Sequence, residues 1–159
     1  MKRNRFITVH GCILCIECFF FLFCLGCIRS ERHTRDTDSG RFMPLDIYVD
    51  SGDTPLAAYQ IEIEDTSQVS AIVGIEGGEH HAFKEPPYYD SAAIDNHHVI
   101  LASFSLNSSL PTGKTRVATI HLLVHDRDGP DFILRHCITA DPDGRSFTAD
   151  VIFALGDES

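Results

Sequence analysis

Arg116-Val117-Ala118-Thr119-Ile120-His121-Leu122-Leu123-Val124-His125 sets Ala118, Ile120, Leu122 and Val124 on one side of an extended chain and Thr119, His121, Leu123 and His125 on the other. Successive side chains of a strand point to opposite faces, so this period of two predicts a strand with one face in a core and the other outside it. The period recurs along the chain. Leu45, Ile47 and Val49 alternate with Asp46, Tyr48 and Asp50, and Ala57, Tyr59, Ile61 and Ile63 alternate with Ala58, Gln60, Glu62 and Glu64. Further runs cover residues 69–75, 99–104, 132–139 and 147–155, separated by Ser51-Gly52-Asp53-Thr54-Pro55, Gly77-Gly78, Asn107-Ser108-Ser109 and Asp141-Pro142-Asp143-Gly144. Those separators are turn chemistry. Seven short strands, regular turns and no helical period predict an all-β sandwich, with Tyr59 as a packing element of its core.

One stretch breaks the rhythm. Residues 77–96 hold Glu79-His80-His81, Pro86-Pro87-Tyr88-Tyr89-Asp90 and Ser91-Ala92-Ala93-Ile94, the last long enough for one helical turn. A long connection inside a compact β domain often faces a ligand, and Tyr88 and Tyr89 could equally cap an open end of the sandwich.

The beginning of the chain has a different chemistry. Lys2, Arg3 and Arg5 precede an apolar stretch densest over residues 18–28, and polar sequence starts at Arg29. A basic start, an apolar run of this length and the small Gly26 describe an export signal over residues 1–27. Residues 6–28 could instead cross a bilayer as an uncleaved anchor, at a cost for Glu17 of about 2.5–3.5 kcal/mol on insertion scales. A third reading is lipidation. Cys24-Leu25-Gly26-Cys27 matches the bacterial lipoprotein box in its last two positions, with Cys24 where the pattern usually has Leu, which makes Cys27 the lipidation candidate. Five of the six cysteines lie in this segment. Their Cys-x-x-Cys-x-x-Cys start imitates an iron–sulfur ligand run, but the next cysteine, Cys24, comes too late and after five apolar residues, so they read as small apolar residues of the signal. Only Cys137 lies beyond it, and one cysteine cannot close an intramolecular disulfide.

Charge divides the chain at the same place. The whole sequence has 13 Lys and Arg against 23 Asp and Glu, and before Glu31 lie Lys2, Arg3, Arg5, Arg29 and Glu17, which leaves 9 basic and 22 acidic residues beyond. A domain this acidic repels phosphate backbones, which excludes nucleic acid as a partner. Residues 31–41 have no apolar side chain, so residues 28–42 read as a polar tether and residues 43–156 as one domain. Membrane contact is expected only through the N-terminal segment.

No catalytic constellation assembles from the sequence. His121 and His125 share a strand face but stand about 13 Å apart at roughly 3.3 Å per residue, and no Glu follows His121 as a metalloprotease motif requires. No Gly-x-Ser-x-Gly is present, and the carboxylates carry no glycosidase context. Asp126, Asp128 and Asp131 beside Gly129 are the calcium candidates, although Asp-x-Asp-Gly is also ordinary turn chemistry and the twelve-residue loop is missing. The absence of Trp argues against a flat polysaccharide-binding platform, while Tyr48, Tyr88 and Tyr89 leave a smaller sugar site open.

The order of these segments carries a resemblance. An alternating strand, a short Asp/Gly loop, Leu56-Ala57-Ala58-Tyr59-Gln60-Ile61-Glu62-Ile63, a Val/Gly-rich third strand and a Pro-containing loop come first. Val99-Ile100-Leu101-Ala102-Ser103-Phe104-Ser105 and Gly113-x-Thr115-x-Val117-Ala118-Thr119-Ile120-His121-Leu122-x-Val124 follow, and the whole resembles a cohesin domain over residues 45–155. The resemblance implies a jelly-roll β-sandwich of about nine strands that is not an enzyme and docks a calcium-loaded dockerin module on one flat face. Its dockerin contacts form no motif that transfers position by position. The expectation is an exported, non-catalytic module that presents a sheet face to a protein, with Leu123, Tyr88 and Tyr89 as partner-binding candidates. Carbohydrate binding and a structural surface role are the alternatives, and no cofactor beyond calcium is expected. An aromatic row on one face would favour sugar, and an apolar patch with a polar rim would favour protein.

Export predicts that the native product lacks Met1 or holds its first residues in the membrane, with Glu31 accessible from outside. Mass spectrometry and surface proteolysis of the native protein check this, and an intact, soluble, cytoplasmic Met1 species would refute it.

Overall fold

The structure, a computed structural model, describes residues 40–91, 97–126 and 128–156. The export segment, Cys27, most of the tether and the helical turn expected at residues 91–94, apart from Ser91, lie outside the described residues. Within them nine strands form two antiparallel sheets. β1 (Arg41–Asp50), β3 (Ser70–Gly77), β6 (Lys114–Val124) and β9 (Asp150–Leu155) make a four-stranded sheet in the order β3-β6-β1-β9. β2 (Ala58–Asp65), β4 (Tyr88–Tyr89), β5 (His98–Phe104), β7 (Phe132–Ala140) and β8 (Ser146–Phe147) make a five-stranded sheet in the order β4-β5-β2-β7-β8. The domain is an all-β sandwich.

The alternation read from the sequence is the one that closes the core. Leu45, Ile47 and Val49 of β1 and Ile120, Leu122 and Val124 of β6 are buried on one side, and Tyr59, Ile61 and Ile63 of β2 with Val99 and Leu101 of β5 on the other. Each such aliphatic side chain contributes about 1.5–3 kcal/mol when taken out of water, and this burial stands in place of a disulfide. Cys137 is half-buried against the core, and burial pushes its thiol up. Tyr59 is a core element: its ring meets Phe83 edge-on at 5.3 Å and its hydroxyl donates to the Val117 carbonyl at 3.1 Å. Burial pushes its phenol far above the ordinary range, opposed by a hydrogen bond with Ser103.

Where the period of two slips, a bulge absorbs it. Ile47 pairs with Ala118 but Tyr48 pairs with Arg116, so Val117 is the extra residue and both Val117 and Ala118 are buried. Gly77 and Gly78 end β3 because backbone passes directly over them. A Cβ on Gly77 would sit 2.0 Å from the Lys84 carbonyl oxygen and one on Gly78 2.1 Å from that of Arg116. That close approach lets the short 3-10 turn at His81–Phe83 fold back and drive Phe83 into the core.

One buried carboxylate ties the loops of one end. Asp65, at the end of β2 and fully buried, accepts from the amide and hydroxyl of Ser67 (3.0 and 2.5 Å), from those of Ser70 (3.1 and 2.6 Å) and from the Asp131 amide (3.2 Å). It therefore fixes the β2–β3 turn and the entry to β7 together. Burial pushes this carboxyl up, but the hydrogen bonds from Ser67, Ser70 and the Ser70 and Asp131 amides together outweigh it, and the net direction is down. A carboxyl held below its unfolded value of about 3.9 contributes stability that is present above that pH and lost as pH falls through the folded value. Asp65→Asn is expected to lower unfolding stability at pH 7 by about 2–3 kcal/mol. The difference from wild type should shrink as pH drops below 4, read from denaturant midpoints across pH 3–7.

Candidate docking face

The outward positions of β2 are Ala58, Gln60, Glu62 and Glu64, and pairing carries each of them into a row across the five-stranded sheet. Ala58 lies between Phe104 and Ala140, Gln60 between Ala102 and Ile138, Glu62 between Ile100 and His136, and Tyr88 pairs with Ala102. The rows sort this face into two halves. Toward residues 62–64 it is charged: His98 Nε2 stands 2.8 Å from Glu62 Oε1, and Arg135 Nε donates to Glu64 Oε2 at 2.6 Å. The Arg135 hydrogen bond holds the Glu64 carboxyl below its usual range and raises the Arg135 guanidinium in turn.

Toward Ala58 the face is apolar. Tyr88 is 79% exposed, Phe104 72% and Ile138 44%, around a floor of Ala58, Ala102 and Ala140, and Leu106, 93% exposed, lines an adjoining hollow that shares Phe104. Small residues between large ones leave an open hollow of about 430 Å³, with Gln60 and Ser103 as its polar lining besides the Tyr88 hydroxyl. Monomeric proteins rarely leave so much contiguous apolar surface in water without a use for it. The two rings do not form a row along the sheet, and the patch meets a polar rim on its Glu62 side.

The candidates from the sequence fall in different places. Tyr88 belongs to this patch; Tyr89, next to it, is half-buried and packs against the core. Leu123 points outward from the opposite, four-stranded sheet, half-buried between its register partners Phe42 and Ala71. The structure therefore does not bring Leu123 and Tyr88 to one surface. Phe104, Leu106 and Ile138 are not among the partner-binding candidates that the sequence offers, although Val99–Phe104 is apolar on both faces, which is the available signal. Of the calcium candidates, Asp126 Oδ1 accepts from the Asp128 amide at 3.0 Å, a contact within its own turn, and Asp131 Oδ2 accepts from the Thr66 hydroxyl at 3.0 Å, a contact between two loops. Among the described residues no three His, Cys, Asp or Glu side chains are grouped to hold a metal ion.

Several histidines have local contacts. His80 Nδ1 accepts from the Ala82 amide at 3.2 Å, and burial, with the neighbouring His81, pushes its imidazole down against Glu79. His97 Nδ1 lies 2.7 Å from the Ser70 carbonyl, and His121 Nε2 is 3.1 Å from Glu76 Oε1, an ion-pair distance without hydrogen-bond alignment.

No family model matches the sequence, and no curated protein matches it. Among solved structures the chain is similar to a non-cellulosomal cohesin from the hyperthermophilic archaeon Archaeoglobus fulgidus, at 13% identity and a TM-score of 0.55, with 69% of this chain and 75% of that one covered. A cohesin module of a Clostridium perfringens family 33 glycoside hydrolase aligns at 11% identity and a TM-score of 0.49, covering 64% of this chain and 73% of that one. Nine strands in two antiparallel sheets and the likeness to the archaeal module agree: the chain has a cohesin-like fold.

Proposed function

We propose that this domain is an exported, non-catalytic interaction module that docks a protein partner on the outer face of its five-stranded sheet. The observation that carries the reading is the apolar half of that face, where Tyr88, Phe104 and Ile138 stand exposed around an alanine floor beside a charged rim, with Leu106 in the adjoining hollow. An apolar centre with polar surroundings is the anatomy of a protein interface. A sugar site would need several amide, hydroxyl or carboxylate groups aimed at ring hydroxyls, and this hollow offers few. The cohesin-like fold supports the same reading, since a sandwich of this kind supplies a rigid, nearly flat sheet for presentation. Export rests on the basic and apolar start of the chain.

Phe104→Asp tests this. Phe104 lies mostly in water, so the substitution is expected to shift unfolding stability by less than about 1 kcal/mol. Truncating or charging a central anchor typically costs about 2 kcal/mol or more of binding, hence roughly 30-fold in affinity. Capture of secreted proteins from the native organism should be lost with Phe104→Asp and Ile138→Asp and kept with Leu123→Asp. Loss with Leu123→Asp alone would move the interface to the other sheet, and retention of glycans without protein would replace docking with sugar binding.

A further inference from the structure

Phe104 stands between two hollows. The 430 Å³ hollow on the sheet and a second of about 310 Å³, bounded by Leu106, Leu110 and Pro142, share Ala58, Phe104 and Ala140 as their common wall. Leu106 is 93% exposed, so nothing among the described residues covers it. Two hollows on either side of one protruding ring take two apolar side chains of one partner, one in each.

Charge decides what kind of partner. Loops 51–57, 105–113 and 141–145 meet at the end of the sandwich that carries Leu106, joined by hydrogen bonds from the Leu56 amide to the Pro111 carbonyl, the Ala57 amide to the Ala140 carbonyl and the Ser105 amide to the Ala57 carbonyl. Asp50, Asp53, Asp141, Asp143 and Asp150 are carried by these loops and the adjoining strand ends, against Lys114 and Arg145. Both cations are engaged: Lys114 Nζ lies 4.5 Å from the Tyr48 ring centre, and Arg145 donates to Asp143 at 2.5 Å. Lys84 and Glu85, on the loop before Tyr88, offset each other. A second copy of this chain would set these carboxylates against their own duplicates, which is repulsive at close range. A partner with Lys or Arg around its apolar side chains meets them favourably.

Resting on the docking reading above, we infer that the occupant is an amphipathic segment of another protein, with two apolar side chains straddling Phe104 and basic residues flanking them on the Leu106 side.

The test is a fluorescence-anisotropy titration of the full chain, kept in mild detergent, against three synthetic peptides. They share two leucines four residues apart and differ in flanks of Lys, Gln or Glu. The Lys-flanked peptide is expected to bind at least tenfold tighter than the Gln-flanked one, and the Glu-flanked one weakest, with the spread shrinking as salt rises from 50 to 300 mM. Phe104→Asp should remove binding of all three. Asp53→Asn combined with Asp143→Asn should cut the Lys preference severalfold and leave the Gln-flanked peptide unchanged. Equal affinity for all three, lost with Phe104→Asp, would overturn the charge inference and leave the docking reading standing. Binding that ignores Phe104→Asp would overturn both. No binding up to millimolar peptide would overturn the inference, with partner capture still deciding the docking reading. Concentration-dependent dimers in sedimentation, abolished by Phe104→Asp, would overturn it in favour of a second copy.

Discussion

The rest of the structure depends on the two-residue period of the central strands β2 and β6, interrupted in β6 by the bulge at Val117. Commitment of Tyr59, Ile61 and Ile63 to the core dictates that Ala58, Gln60, Glu62 and Glu64 face away from it, and a slip of one residue would exchange the two sets. With no disulfide among the described residues to hold a misregistered pair in place, register is maintained by this burial and by the bulges at Val117 of β6, Arg135 of β7 and Val73 of β3. Core and surface are therefore one pattern. The small outward Ala58, between the equally small Ala102 and Ala140 and the large Phe104 and Ile138, creates the hollow as a by-product of the alternation that seals the interior.

That dependence explains which parts of the fold are legible in the sequence. Every strand of six residues or more corresponds to a run legible in the sequence, β1, β2 and β6 by their alternation and β5 as a stretch apolar on both faces, and Asp141-Pro142-Asp143-Gly144 reads directly as the turn in which Asp141 Oδ1 accepts from the Asp143 and Arg145 amides. β4 and β8, at two residues each, have no period to read. They exist because β5 and β7 offer backbone partners at Leu101–Ala102 and Thr139–Ala140, which is tertiary information.

The site was less legible for a related reason. Leu123 stands out in the sequence as an apolar residue in a polar row, but what covers an outward side chain is decided by neighbouring strands, and there Phe42 and Ala71 flank it. Phe104 looks like the end of an apolar run. Only pairing with Ala58 reveals that it borders a floor of alanines. The histidines are a similar case: conspicuous by number, they become ordinary once Glu62 is seen beside His98 and Glu76 beside His121.

The two ends of the sandwich also differ in how their carboxylates are used. At the end where β2 finishes, Asp65 is consumed by five hydrogen bonds inside the domain, beneath the exposed Asp126, Asp128 and Asp131. At the other end Asp50 and Asp141 also order turns, accepting from the Gly52 amide and from the Asp143 and Arg145 amides, but from positions near the surface. A carboxylate near the surface projects a field toward a partner, whereas one sealed in the interior does not reach it. The same residue type thus stiffens one end and gives the other, beside the apolar hollows, a sign of charge that a docking segment can read.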